Sequence, residues 1–360
     1  MRVGLIIYGS LETISGGYVY DRQLVQTLRA YGDEVVVISL PWRSYGQHVL
    51  DNWRGWWREW ESAEFDLLLQ DELNHPSLAW LNPRLRQRLG CPFIAIVHHL
   101  RASERHPPWL RQLYRHIETR YLRSVDGFIF NSHTTRRSVA ALLETDRPAV
   151  VAPPGGDRFP ANTNASSRPP IPPLRLLFVG NLIRRKGLYT LLQAIAQLPP
   201  GLVELSIVGN PDLEPGYSRA WRQFAAKRGL AVRWLGTLDN AALADAFTAH
   251  HILTVPSDYE GFGIVYLEGM GFGLPAIATT AGAAAELITP GENGYLIAPG
   301  DTPALAGHLL TLAHDPLLPA RLGRNALARF AAHPTWFASM SAARQFLLTQ
   351  LNPPPTRPAN

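Results

Sequence analysis

Twice along this chain, short apolar runs alternate with longer segments of helical period, and that alternation restricts the fold more than any other feature. Repeats of strand, helix and strand at this spacing build parallel sheets with helices on both faces. In the first half, strand pattern covers residues 3–8, 34–39, 65–70, 93–98, 127–131 and 149–152, with helical pattern over 18–31, 77–89, 108–123 and 133–144. A second series has strands at 174–179, 203–208, 232–235, 252–255, 275–278 and 294–297, and helices at 187–198, 217–228, 240–249 and 263–271. Between the two lies 156–173, a stretch of Gly, Asn and Ser with five prolines that reads as a linker.

The chain has 360 residues, and a single core stops growing at roughly 250–300. The expected α/β fold is therefore a pair of doubly wound, Rossmann-like domains over 1–155 and 174–332, facing a central cleft. Helical pattern from 333 to 351 is expected to pack back toward the N-terminal domain, and 352–360, with four prolines, to form a flexible tail. Cys91 is the one cysteine, which excludes an internal disulfide or a thiolate metal cluster. Neither a signal-peptide core at the start nor a run approaching 18 apolar residues is found, so the expected location is cytoplasmic, with contact at most at the inner face of a membrane.

Doubly wound sheets bind ligands beyond the carboxyl ends of their strands, which makes the residues leaving those ends the candidates for chemistry. After strand 252–255 the chain reads Pro256-Ser-Asp-Tyr-Glu-Gly-Phe-Gly-Ile-Val-Tyr-Leu-Glu268. Glu260 precedes the expected helix, and Glu268 lies about 8–9 Å along its axis from a start near Phe262–Gly263. That is the span of a sugar diphosphate and ribose. Free amides and the positive end of the dipole suit an anion there, while Gly261 and Gly263 let it approach the backbone. An ordinary helix start with an acidic first turn has the same spacing, so spacing alone leaves both readings open.

Strand 174–179 runs into Gly180-Asn-Leu-Ile-Arg-Arg-Lys-Gly187. Arg184, Arg185 and Lys186 place three cations in a strand-to-helix turn, enough to neutralise a diphosphate without a metal. A solvated basic turn is the alternative. Of the 34 basic residues only Lys186 and Lys227 are lysines, which favours a function for Lys186.

The first strand-to-helix turn has Gly9, Gly16 and Gly17 but no G-x-G-x-x-G, so the dinucleotide fingerprint is absent. Gly16 and Gly17 open the first helix, where they either offer amides to a phosphate or make a tight turn. His98 and His99 end the fourth strand on the ligand side of the sheet. Neither H-x-x-x-H nor H-E-x-x-H spacing supports a zinc site, and no G-x-S-x-G elbow supports a hydrolase, so no metal is expected.

These motifs, in this order, resemble the retaining glycosyltransferases of family 4, the group 1 type with the two-domain GT-B fold. The resemblance covers nearly the whole chain and is strongest from Leu176 to Leu296. Its most specific element is E-x7-E, matched by Glu260 and Glu268; Leu235-Gly-Thr-Leu238, Gly273-Leu-Pro-Ala-Ile-Ala-Thr279 and Glu286-Leu-Ile-Thr-Pro-Gly-Glu-Asn-Gly294 extend it. The resemblance implies that Glu260 orients the donor sugar and Glu268 holds the ribose hydroxyls. It implies that Lys186 and Arg185 bind the diphosphate as leaving group, with amides of Gly16 and Gly17 approaching the phosphates. Amides from Phe262 through Gly263 to Ile264 would face sugar or phosphate, backbone near Thr237 and Leu238 the base, and His98, with His99 as fallback, the transferred sugar. It further implies a nucleotide-sugar donor, no cofactor, no metal, and retention of anomeric configuration through a front-face mechanism. Asn181 stands where the family commonly has Arg, which shifts part of the diphosphate clamp to Arg184, Arg185 or another basic group, and Ala283 replaces the second glycine of a usual pair.

GT-B enzymes generally take their acceptor through the N-terminal domain. There Trp53, Trp56, Trp57 and Trp60 fall at helical spacing, and residues 84–123 hold nine arginines against two acidic residues. The tryptophan stripe offers a peripheral membrane contact or a face that stacks on sugars, with core packing the commoner fate of such a stripe; the arginine stretch offers a surface for anionic lipid or an acidic acceptor, and fits a solvated face equally well. Nucleic acid is not expected, because no known module accompanies the charge. The leading expectation is a hexosyltransferase with an unknown acceptor. A sugar-nucleotide 2-epimerase of similar fold and a non-catalytic nucleotide-sugar-binding protein are the alternatives.

Overall fold

The computed structural model describes residues 1–13, 15–60, 62–159 and 172–351. Most of the expected linker (160–171) and the expected tail (352–360) lie outside them. The chain divides into two compact units, Met1–Pro154 with Trp336–Asn360, and Gly155–Thr335.

In the first unit, strands β1 (Arg2–Tyr8), β2 (Glu34–Leu40), β3 (Leu67–Asp71), β4 (Phe93–Val97), β5 (Gly127–Phe130) and β6 (Ala149–Val151) form one parallel sheet in the order β2-β1-β3-β4-β5-β6. Central strands β3, β4 and β5 are buried along their whole length, as expected of a parallel sheet covered on both faces. The helices are α1 (Gly16–Ala30), α2 (Tyr45–Leu50), α3 (His75–Leu78), α4 (Asn82–Leu89), α5 (Pro108–Leu122) and α6 (His133–Ala140). Buried Leu24, Val25 and Leu28 make the apolar stripe of α1.

Three local expectations are corrected here. The helix expected over 77–89 is broken between α3 and α4, because Pro83 is tolerated only in a first turn. Asn52 Oδ1 accepts from the amides of Trp80 (2.8 Å) and Leu81 (2.9 Å) at that break. Helix α2 was not expected, although Ser44 and Gln47 form a capping box at its start. The tryptophan stripe does not exist as one helical face. Residues 51–53 and 55–60 form two 3-10 turns, whose three residues per turn scatter the i, i+3, i+4 pattern. Trp56, Trp57 and Trp60 pack against the core while Trp53 is exposed and stacks on Trp80.

The second unit repeats the architecture. Strands β7 (Leu174–Val179), β8 (Val203–Val208), β9 (Val232–Gly236), β10 (Ile252–Thr254), β11 (Ala276–Thr279) and β12 (Gly294–Ile297) lie in the order β12-β11-β10-β7-β8-β9, again all parallel. Its helices are α7 (Leu188–Ile195), α8 (Pro215–Lys227), α9 (Asn240–Ala249), α10 (Ile264–Gly271), α11 (Thr302–His314) and α12 (Leu317–Ala331). Phe159, at the start of the stretch read as linker, is buried here against Phe247 and Phe272.

Helix α13 (Trp336–Leu351) belongs to the first unit and packs on α1 and β6. Its buried face is Trp336, Met340, Ala343 and Leu347, spaced as one side of a helix. Arg344 Nε donates to Asp33 Oδ2 at 2.6 Å.

The order in which the chain adds strands reverses once in each sheet, between β1 and β3 in the first and between β7 and β10 in the second. The loops leaving the carboxyl ends at those two points are where such sheets place ligands.

Candidate functional site

In the second unit the reversal brings together the loops after β7 and β10, which carry Lys186 and Glu260. Their backbones touch: Asp258 N donates to the carbonyl of Arg185 at 2.7 Å, and a side chain added at Gly187 would run into the carbonyl of Pro256. Gly187 has φ +69°, a left-handed conformation open to glycine. Arg185 then donates through Nη1 to the carbonyl of Tyr259 (2.9 Å), and Lys186 Nζ donates to Glu260 Oε2 (2.6 Å). Ser257 Oγ donates to the same carboxylate oxygen at 3.2 Å.

A third loop fixes the Glu260 backbone. Glu260 N donates to Ala281 O (3.2 Å), and Ala283 N donates to Glu260 O (2.9 Å). Gly282, at φ +98°, permits this approach, since a side chain there would strike the Glu260 carbonyl. Beneath, Tyr266 Oη donates to Val255 O (2.7 Å) and Thr279 Oγ1 to Ser257 O (2.6 Å).

Burial pushes the Lys186 ammonium down from its ordinary pKa, and the Glu260 carboxylate offsets this only in part. For Glu260 burial acts upward, but the charges of Lys186 and Arg185 outweigh it and hold the carboxyl below its ordinary value. Each partner thus favours the charged form of the other, and each side chain is still 13–16% exposed.

Helix α10 starts at Ile264 after Gly263, and no side chain caps it. The later start shortens the expected rise to Glu268 to about 6 Å. Glu268 is only 5% exposed and lies 3.5 Å from Arg158 Nε. Burial raises its pKa to about 7, with Arg158 opposing. Arg184 does not join Arg185 and Lys186: it points outward, 4.0 Å from Glu214. Thr237 and Leu238 follow β9 at the same carboxyl end, two strands from β7.

In the first unit, Gly16 and Gly17 begin α1, and a side chain at Gly17 would come within 3.2 Å of the His98 ring. His98 follows β4, with Nε2 3.1 Å from Oδ1 of the fully buried Asp21 on α1. Its carbonyl accepts from Asn131 Nδ2 (2.8 Å). Burial alone would lower the imidazole pKa, but the carboxylates of Asp21, Asp71 and Glu72 raise it to about 9. His98 is thus an imidazolium at neutral pH, able to donate from Nδ1 as well. Asp21, Asp71 and His98 present oxygens and nitrogen within 4.8 Å of one another; burial and the nearby Asp21 carboxylate push the Asp71 carboxyl up to about 7, with His98 opposing. His99 turns instead to Glu104, 2.9 Å away.

Sequence reasoning missed Asp21, Asp71, Arg158 and Ser257. Asp21 was legible: with Leu24, Val25 and Leu28 it occupies the i, i+3, i+4 and i+7 positions of the buried stripe, where an unpaired charge has no reason to stand. Nothing local marked Arg158 as the neighbour of Glu268.

The family model for glycosyl transferases group 1 matches residues 173–315, and that for glycosyltransferase family 4 matches residues 15–158. Glycogen synthase of Mycobacterium tuberculosis is 27% identical over 282 residues, 76% of this chain and 66% of that protein. The match thus spans slightly less than two thirds of that relative. Phosphatidyl-myo-inositol mannosyltransferase of Mycobacterium leprae is 28% identical over 368 residues, 92% of this chain and 93% of the relative. Among solved structures, sucrose-phosphate synthase of Thermosynechococcus elongatus superposes with TM-score 0.83 at 23% identity, covering 97% of this chain and 98% of that one. HepE of Anabaena in complex with UDP and glucose gives TM-score 0.77 at 19% identity, over 97% and 100%. Both likenesses show the fold, two doubly wound α/β units of GT-B type.

Proposed function

Because this chain belongs to the group 1 glycosyltransferases of family 4, we propose that it moves a hexose from a nucleoside-diphosphate sugar to a hydroxyl of a sugar, lipid-linked or small-molecule acceptor, retaining the anomeric configuration without a metal. The observation that carries this reading is the meeting of Arg185, Lys186 and Glu260 at the strand-order reversal of the second sheet. Two cations held there neutralise a diphosphate, and a carboxylate fixed beside them accepts hydrogen bonds from sugar hydroxyls. Support for the donor class comes from HepE, whose solved complexes hold UDP and UDP-glucose.

Lys186 and Arg185 draw off the negative charge of the departing diphosphate, Glu260 orients the sugar, and Glu268 holds the ribose hydroxyls. Uncapped amides at Phe262, Gly263 and Ile264 face phosphate or sugar, and backbone at Thr237 and Leu238 faces the base. From the first unit, Gly16 and Gly17 offer amides to phosphate and His98 donates a hydrogen bond to the transferred sugar. The bond from the anomeric carbon to the phosphate oxygen breaks and the diphosphate keeps its electron pair. The acceptor oxygen bonds to that carbon on the same face, and its proton passes to the departing phosphate oxygen. A protonated His98 supports this route, because an imidazolium cannot serve as the general base.

Exposed Trp53 and Trp109, the latter on α5 near Arg111 and Arg115, support a peripheral contact with a membrane-borne acceptor. Among the described residues no helix is long and apolar enough to cross a membrane.

The test is a panel of UDP-, GDP- and ADP-hexoses screened for thermal stabilisation, followed by product mass and anomeric coupling with candidate acceptors. Transfer with retention is expected. Isomerised donor without acceptor dependence would replace the proposal with an epimerase, and donor binding without turnover would replace it with a binding protein.

A further inference from the structure

The arginine-rich stretch 84–123 is not one surface. Arg101 is partly buried against Tyr45 and Tyr114, while Arg86, Arg120 and Arg123 converge, with Arg147 and His116, on a hollow of about 740 Å³. We propose that this hollow binds a phosphate or diphosphate group of a ligand distinct from the sugar donor.

Two of its guanidinium groups are held in place. Arg86 donates to Asp126 Oδ2 and to Ser124 O, both at 2.8 Å, and Arg147 donates to Leu122 O and Arg123 O, both at 2.9 Å. These bonds cap the carboxyl end of α5 and explain part of the charge. They do not use it up, since a guanidinium has five N–H donors. Arg120 and Arg123 are exposed, and among the described residues neither has a carboxylate partner. Arg120 lies over the ring of Trp80 at 5.2 Å. Asp126 is the one carboxylate lining the hollow, so three of the four guanidinium charges stand uncompensated around it. Planar forks around a concavity of this size suit a multiply charged oxyanion, and the volume falls within the roughly 300–1,000 Å³ of small-molecule sites.

The hollow is remote from His98. Asp126 accepts from the amide of Phe93, the first residue of β4, at 2.8 Å, whereas His98 follows the last. Five strand residues separate them by about 16 Å. A ligand bound there leaves the carboxyl end of the sheet open, and this assignment does not rest on the transfer reaction.

Inorganic pyrophosphate is the probe, titrated into the full chain at constant ionic strength and followed by calorimetry and thermal midpoint. Arg120→Gln/Arg123→Gln removes the two arginines that cap nothing, and its unliganded midpoint reports folding; Arg123→Gln alone serves if the pair fails to fold. Arg185→Gln removes a cation of the other basic site. Because pyrophosphate also fits the Arg185–Lys186 site of the second unit, the comparison is made in the Arg185→Gln background: pyrophosphate is expected to stabilise that variant, and to bind it at least tenfold more weakly once Arg120→Gln/Arg123→Gln are added. Equal binding with and without the Arg120/Arg123 substitutions in that background, or no binding once Arg185 alone is replaced, would overturn the proposal. Sedimentation with vesicles of phosphatidic acid in phosphatidylcholine identifies the source: co-sedimentation that pyrophosphate competes away supports the site with a lipid headgroup, and its absence alongside pyrophosphate binding supports it with a soluble phosphate ester.

Discussion

Lys186 Nζ lies 2.6 Å from Glu260 Oε2, joining the loop after β7 to the loop after β10 at the point where the strand order of the second sheet reverses. The two residues are 74 apart in sequence, and within its own loop Glu260 accepts a longer, uncharged bond from Ser257 Oγ at 3.2 Å.

Removing one partner of a mostly buried pair strands the other, at a cost of about 3–5 kcal/mol for full burial; the residual exposure here brings the expectation to roughly 1–3 kcal/mol. Lys186→Gln is expected to weaken donor binding at least tenfold, and Glu260→Gln to lower turnover more than affinity. A double-mutant cycle in urea should give coupling above 1 kcal/mol. Unchanged donor affinity in the folded Lys186 variant would refute the assignment.

Asp21→Asn is expected to return His98 from a pKa of about 9 toward or below its ordinary 6.5. Because the folded value is the raised one, the stability from protonated His98 is complete below about pH 6.5 and disappears as pH rises through 9. Nitrogen chemical shifts of His98 across pH 5–10 read this directly. In the transfer assay the alkaline limb should move to lower pH in the variant, a change that general loosening of α1 would not produce.

Gly187→Ala should destabilise the second unit without altering any charge. An alanine at φ +69° costs about 1–2 kcal/mol in backbone strain, and its methyl group meets the Pro256 carbonyl. Both a lower thermal midpoint and weaker donor binding are expected. A variant as stable as the wild type would show that the two loops do not need this contact.

Glu268 has its folded pKa raised to about 7. Its burial therefore favours folding most below pH 4.5 and opposes it increasingly as pH rises through 7. Glu268→Gln should be more stable than the wild type at pH 8, by on the order of 1–3 kcal/mol, yet bind the nucleoside diphosphate less tightly. Denaturation at pH 5 and pH 8 with and without UDP separates the two effects.

Strand pattern and motif order carried a large part of this protein in the linear sequence. The twelve strands occupy the expected apolar runs to within one or two residues at each end: the central ones are buried on both faces and so apolar throughout, and Gly, Pro and polar turns mark the ends of the rest. Lys186, Glu260 and Glu268 stood out because they leave or follow such strands in turns that serve ligands. Local errors had local causes: Pro83 divided one helix, and 3-10 turns dispersed the tryptophans.

What the linear pattern could not supply is which side chains meet. Strand order decides that Lys186 reaches Glu260 and that Arg184 turns outward to Glu214, although the three cations are consecutive. Helix-on-sheet packing brings Asp21 to His98, 77 residues away, and makes an imidazolium of what would otherwise titrate near neutrality. The same packing splits the arginines of 84–123 between aromatic contacts, helix capping and one hollow. Periodicity and turn chemistry act over a few residues and are written in the sequence. Pairing of distant charges follows from strand order and helix packing, and so arises only in the folded chain.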